Sequence, residues 1–173
     1  MATESSERPE PPIRFIVDDH LRRLARWLRS AGFDSVFEDG IANRELYRRS
    51  WTEKRTILTM NKSLWAPRLH RLTSQDVSEQ FRDVIETFAL DPYEFAFRRC
   101  VICNVPLERV EKEDVADRVP PKAFAHHDVY RHCPVCDRVF WRGTHTTRTL
   151  TFFFASTGIP VPARFSDVYP ART

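Results

Sequence analysis

Between residues 13 and 90 the chain alternates two patterns: short continuous apolar runs, and longer stretches whose apolar residues return every three or four positions. The first run, "IRFIVDD" at 13–19, is apolar throughout and ends in two aspartates, as expected of a central strand buried on both faces. In "HLRRLARWLRSAG" (20–32), Leu21, Leu24, Ala25 and Leu28 fall on one helical face, with Arg22, Arg26 and Arg29 around the other side. Gly32 is placed to end that helix. A second strand is expected over 33–39 and a second helix over 43–54, capped by Asn43. Residues 55–60 form a third apolar run, and 61–69 are expected to make a short helix broken by Pro67. The last helix, 76–90, places Val77, Phe81, Val84, Ile85 and Phe88 at apolar spacing, with Asp76 or Ser78 as its cap.

Strands alternating with helices predict an α/β fold, a parallel sheet with helices on its faces. Ligands of such sheets bind at the carboxyl ends of the strands. Asp18, Asp19, Asp39 and Asn61 all fall at those ends, which makes them candidate site residues. The competing reading is that aspartates after strands simply cap the next helix, and Asp39 and Asp76 fit it well.

From residue 91 the pattern changes to short polar strands, and all the cysteines appear in two pairs, "CVIC" (100–103) and "CPVC" (133–136). Two such pairs let Cys100, Cys103, Cys133 and Cys136 converge on one tetrahedral zinc. Two disulfides are the alternative, and a reducing compartment disfavours them. With every coordination position filled by protein, the zinc is expected to be structural; His132 and His145 flank the site and are not needed as ligands. A module with so few apolar residues is expected to depend on its metal to fold. The organisation that follows is a lead-in at 1–12, an α/β domain at 13–95, a zinc ribbon at 96–145 and a C-terminal extension at 146–173.

Composition narrows the picture only slightly. Apolar residues at 42% and charged residues at 29% are ordinary for a globular chain, and a net charge of +3 does not by itself imply a nucleic-acid partner. Distribution says more, because arginines gather at 20–29, 48–55 and 66–72. Arg22, Arg23, Arg26 and Arg29 are therefore candidate RNA contacts, against the alternative of an ordinary solvated helix face. No apolar run approaches the roughly 18 residues of a membrane span. The lead-in carries Glu4, Glu7 and Glu10 without an apolar core, unlike a secretory signal or an arginine-rich transit peptide, and is expected to be disordered. The expected setting is a reducing intracellular compartment, the cytoplasm by default, with an organelle left open.

Five segments taken together resemble a known family: "RFIVDDHLRRLARWLRSAGFDS", "RTILTMNKSL", "SEQFRDVIETFAL", "RRCVICNVPLERVEKEDVADRVPPKAF" and "RHCPVCDRVFWRGTH". The family is the Mut-seven-C RNases, a PIN-like α/β domain followed by a zinc ribbon. The resemblance implies that strand-end carboxylates hold magnesium or manganese for RNA hydrolysis. Asp18 matches the first acid. In "GIANREL" (40–46), Asn43 stands where the family has an aspartate, with Glu45 close by. In "LTMNKSL" (58–64), Asn61 replaces the acid after the third strand, and Asp76 lies near a later acidic position. An amide can coordinate through oxygen but brings no charge, so the resemblance implies RNA or a ribonucleoprotein as partner, with nuclease activity weakened or lost. The alternative is an active metal-dependent ribonuclease. Beyond His145 the motifs stop. The run at 149–156, "TLTFFFAS", is expected to add a strand, with a Pro-rich extended remainder, and its phenylalanines to pack on the chain's own core or on a protein partner.

Overall fold

The computed structural model describes residue 11 and residues 13–166; apart from residue 11, the lead-in expected over 1–12 lies outside the described residues. Four parallel strands form the central sheet: β1 (Arg14–Val17), β2 (Asp34–Phe37), β3 (Thr56–Thr59) and β4 (Leu69–Arg71), in the order β2-β1-β3-β4. In the register of the central pairs, Ile16 lies opposite both Val36 and Ile57. Between the strands run α1 (Arg22–Ser30), entered through a 3-10 turn at Asp19–Leu21, and α2 (Asn43–Thr52). The helix α3 (Val77–Thr87) follows β4.

Side chains alternate across the sheet, and both faces are covered. Phe15, Val17 and Leu58 point to α1 and α3, where they meet Leu24, Leu28, Phe81 and Val84. Ile16 and Ile57 point the other way, to Leu46 of α2 and to Leu64 and Ala66. Burial on both faces is why these strands read as unbroken apolar runs. Gly32 ends α1 at a positive φ of 94°, and a Cβ there would sit 2.2 Å from the Phe95 carbonyl oxygen. Only glycine lets the returning chain pass so close.

Three expectations are corrected. The segment 61–69 is not a helix but a turn leading into β4. Proline at 67 disfavours helix, and pairing satisfies the backbone instead: Ile57 N donates to Arg68 O at 2.8 Å and Leu72 N to Thr59 O at 2.9 Å. Asn43 is the first residue of α2, and the capping position is Ala42, which makes no side-chain bond. Asp76 does cap α3, accepting from Ser78 N and Glu79 N at 2.8 and 3.1 Å.

The third correction concerns 149–156, which belongs not to a strand but to a long helix, α5 (Thr144–Thr157), closed by Gly158 at φ 71°. Threonine and phenylalanine favour strands locally, but tertiary packing overrides that preference. The buried residues Thr146, Leu150, Phe153 and Ser156 recur every three or four positions and seat the helix on α3. Phe153 is fully buried and stacks on Phe81 at 5.2 Å, while Phe152 stacks on Trp27 at 3.7 Å. The phenylalanine run therefore packs chiefly on the chain's own core, with Phe154 left exposed. The Pro-rich stretch beyond includes a 3-10 turn at Ala163–Phe165, whose Phe165 is also buried.

Between the α3 region and α5 lies a second sheet of antiparallel strands β5 (Glu108–Val110), β6 (Tyr130–His132) and β7 (Val139–Trp141), with a short helix α4 (Pro121–His126) joining the first two. It has small apolar clusters of its own, one around Val115, Val119 and Tyr130 and one around Leu107 and the cysteines. No helix among the described residues is long and apolar enough to cross a membrane.

Candidate active-site cleft and metal centre

From β1 the chain moves to β2 on one side, then returns past β1 to β3 on the other. The strand order reverses between β1 and β3, and crevices open at such switch points. An open cleft of about 830 Å3 lies there, lined by Asp18, Asp19 and His20 from one wall and by Asn43, Asn61, Lys62 and Arg71 from the others.

Asp18 is fixed more firmly than any other residue in this group. It is buried, and its Oδ2 accepts from the Thr59 hydroxyl and from Met60 N at 3.1 Å. Its Oδ1 accepts from His20 N at 3.1 Å. One carboxylate thus fastens the ends of two neighbouring strands and still has lone-pair capacity for a ligand in the cleft. Asp19 is exposed and pairs with His20 Nδ1 at 2.9 Å. One ligand atom from each of Asp18, Asp19 and His20 can be chosen so that all lie within 4.8 Å of one another, close enough to hold a cation.

The two asparagines do line the cleft. Asn61 Oδ1 accepts from Ser63 N at 2.9 Å, so it shapes its own turn, while Asn43 is exposed at the start of α2. Other candidates lie elsewhere. Asp39 is ion-paired with Arg22, Glu45 with Arg48, and Asp76 serves as the cap of α3. Among the described residues lining the cleft, Asp18 and Asp19 are the carboxylates, and Lys62 and Arg71 bring positive charge. Arg71 is held by the carbonyls of Asn61 and Leu64 at 3.3 and 2.6 Å. The sequence pattern alone does not single out His20, Lys62 or Arg71. His20 and Lys62 directly follow Asp19 and Asn61 in the chain, and Arg71 falls in the arginine cluster at 66–72, on a strand too short to show a period.

Of the α1 arginines, Arg22, Arg23 and Arg26 are exposed, and Arg22 also lies over the Phe37 ring at 5.0 Å. Arg29 leaves the candidate set, because it is only 7% exposed. Its guanidinium donates to Ser35 O at 2.8 Å and to Val101 O and Ile102 O at 3.1 and 2.9 Å, binding the first cysteine pair to α1.

The four cysteines converge. One sulfur from each lies within 4.8 Å of the others, and all four thiols are free. Each pair forms the same turn. Asn104 N donates to Cys100 O and Asp137 N to Cys133 O, both at 2.9 Å, while Cys100 N and Cys133 N donate to Val105 O and Arg138 O. Asn104 and Asp137 take positive φ values of 60° and 56°, a conformation their side chains tolerate better than most. Cys103 N and Cys136 N point at the sulfurs of Cys100 and Cys133 at 3.4 and 3.5 Å, which favours thiolates. Burial raises the Cys133 thiol, but the N–H groups of Cys136 and Val135 together with the Cys136 and Cys100 sulfurs outweigh it and bring it down to about 7. Burial and the neighbouring sulfurs push Cys103 up to about 12. The Cys100–Cys136 separation is 3.8 Å. A tetrahedral ion with metal–sulfur bonds of about 2.3 Å requires sulfurs about 3.8 Å apart, so the group fits a metal such as zinc.

Asn104 also ties this centre to the sheet, its Oδ1 accepting from Ser35 N at 3.0 Å and its Nδ2 donating to Asp34 at 2.6 Å.

The sequence matches the family model described as Mut7-C RNAse domain over residues 13–153, past His145 and through most of α5. No curated protein and no solved structure matches the chain. That match spans the parallel sheet, the cleft, both cysteine pairs and most of the helix that closes the core, and the chain belongs to the Mut7-C RNAse domain family.

Proposed function

We propose that this chain is an RNA-associated member of its family whose nuclease activity is weakened or lost. The observation that carries the reading is the charge of the cleft: Asn43 and Asn61 line it where the family resemblance expects acids, and Lys62 and Arg71 stand beside them. Magnesium binds through carboxylate charge, and two aspartates facing two cations offer little. The same cations suit a phosphate backbone. RNA, free or within a ribonucleoprotein, is the expected partner, with Arg22, Arg23 and Arg26 as further contacts. The test measures RNA association and cleavage together. Salt-sensitive binding without turnover in magnesium or manganese is expected, and robust metal-dependent cleavage by the wild type would overturn the reading.

A second reading, a ribonuclease still active with one divalent ion, is favoured by the Asp18, Asp19 and His20 group. When bound there, such an ion would supply an activated water and charge stabilisation. Asp18 would anchor it and Asp19 and His20 would complete its contacts.

The cysteine centre is proposed to hold one structural zinc through Cys100, Cys103, Cys133 and Cys136. All-sulfur ligation leaves no open position for chemistry. Its role is to fasten the 100–104 turn, and through Arg29 and Asn104 to orient the ribbon on the sheet.

A further inference from the structure

The surface beside the cleft carries an unexplained group of exposed aromatic residues. On α2, Asn43, Tyr47 and Trp51 are spaced four apart and form one ridge about 12 Å long. Asn43 lines the cleft, while Tyr47 and Trp51 line a shallow groove beyond it. The facing wall is the turn between β3 and β4. It too begins in the cleft, with Asn61 and Lys62, and ends in the groove, with Ala66, Pro67 and Arg68. Trp65 stands on that turn. Trp51 is 69% and Trp65 76% exposed, which is unusual for indoles with no structural task.

The charged side chain that lines the groove is basic, Arg68. Lys62 and Arg68 are exposed and have no acidic partner among the described residues. No carboxylate among the described residues lines the groove. Aromatic faces interleaved with unpaired cations are what single-stranded nucleic acid requires: rings stack with bases, and cations follow phosphates. A duplex keeps its bases stacked internally and cannot use the rings. Protein interfaces also favour tryptophan and tyrosine, but continuity of both walls with the basic side of the cleft favours a strand running from one to the other.

We propose that the Tyr47–Trp51 ridge and the 62–68 turn form a base-stacking track that delivers single-stranded RNA to the cleft. The proposal rests on the RNA reading above and adds the form of RNA and the direction from which it enters.

The test uses the full chain and a fluorescein-labelled, unstructured oligouridylate. Binding is followed by anisotropy and by quenching of the intrinsic indole fluorescence. Trp51→Ala with Trp65→Ala should weaken binding by about tenfold per aromatic removed. Trp51→Phe with Trp65→Phe should restore most of it, because the stacking faces return. The thermal midpoint should be unchanged in all these variants, since both indoles are exposed. A duplex RNA of equal length should compete poorly. If the alanine pair binds like wild type while Lys62→Gln with Arg71→Gln weakens binding, the track is overturned and the RNA reading stands. If wild type binds duplex but no single-stranded RNA, the track alone is overturned; if it binds neither, both are. Equal competition by duplex, or a loss of self-association with RNA binding intact, would likewise overturn the track, the latter making this face a protein contact.

Discussion

Asp18, at the end of β1, accepts a hydrogen bond from the hydroxyl of Thr59, at the end of β3. With Met60 N and His20 N it receives three donors, and a neutral amide cannot take all of them without turning one of its own N–H groups against a donor. Asp18→Asn should therefore destabilise the protein by about 1–3 kcal/mol in urea unfolding. Any metal-dependent cleavage shown by the wild type should vanish with it. Cleavage that persists unchanged would place the reaction elsewhere.

Restoring the family's charges gives a separate test. Asn43→Asp with Asn61→Asp would put further carboxylates beside Asp18 and Asp19. The carboxylate introduced at position 43, at the start of α2, would gain from the helix dipole. At position 61 the turn to Ser63 would be kept, so the fold should tolerate both changes. Magnesium or manganese should raise the thermal midpoint of the double variant well above its effect on wild type, by linkage. Equal shifts would mean that the asparagines are ordinary turn residues.

Packing of α5 on α3 predicts two very different neighbours. Phe153→Ala should cost about 3–5 kcal/mol, since the ring is fully buried against Phe81 and Tyr93. Phe154→Ala should change stability by less than about 0.5 kcal/mol, because that ring faces solvent. Denaturant midpoints of the two variants check the assignment of the helix.

Acid should unfold the α/β unit partly through Glu53. Hydrogen bonds from Arg49, opposed by burial and aided by Arg55, lower its carboxyl from 4.5 to about 2. A depressed acid contributes stability that is fully present above its unfolded value and lost as pH falls through its folded one. The contribution should thus fade between about pH 4.5 and about pH 2. Asp34 behaves alike: burial raises it, but Arg55 and Asn104 bonds prevail and lower it. Glu53→Gln should flatten part of the acid limb of a stability–pH curve, modestly, because the pair is partly solvated.

Natively purified protein should carry one zinc per chain by metal analysis, and Cys133→Ser should lose it. The β5–β7 sheet should then unfold, as its apolar clusters are small and distinct from the main core. The helical circular dichroism of the α/β unit should largely remain. A metal-free wild type that keeps a folded ribbon would count against the assignment.

Much of the sheet is legible in the chain because β1 and β3 are buried on both faces and α1 shows a clean period. The strand ends point to Asp18 and Asn61, the paired C-x2-C spacing points to the cysteines, and Asn43 enters the site only through the family resemblance. Local pattern misses β4, because Leu69–Arg71 is too short to display one. It takes 149–156 for a strand because the local preference of threonine and phenylalanine is outweighed only by a partner, α3, distant in sequence. Arg29 is misplaced for the same kind of reason. Its guanidinium is buried against the Ser35 carbonyl of β2 and the carbonyls of residues 101 and 102, and helical periodicity shows neither set of partners.

The return of the chain to α3 after the ribbon has a consequence for how the protein is made. Phe81 and Tyr93 emerge from the ribosome well before Phe153, which covers them. At about 5–20 residues per second, translation of the intervening stretch leaves that aromatic surface uncovered for several seconds. The nascent α/β unit is an open-faced intermediate during that interval, exposed to chaperones and to wrong partners. It closes only when the last helix arrives.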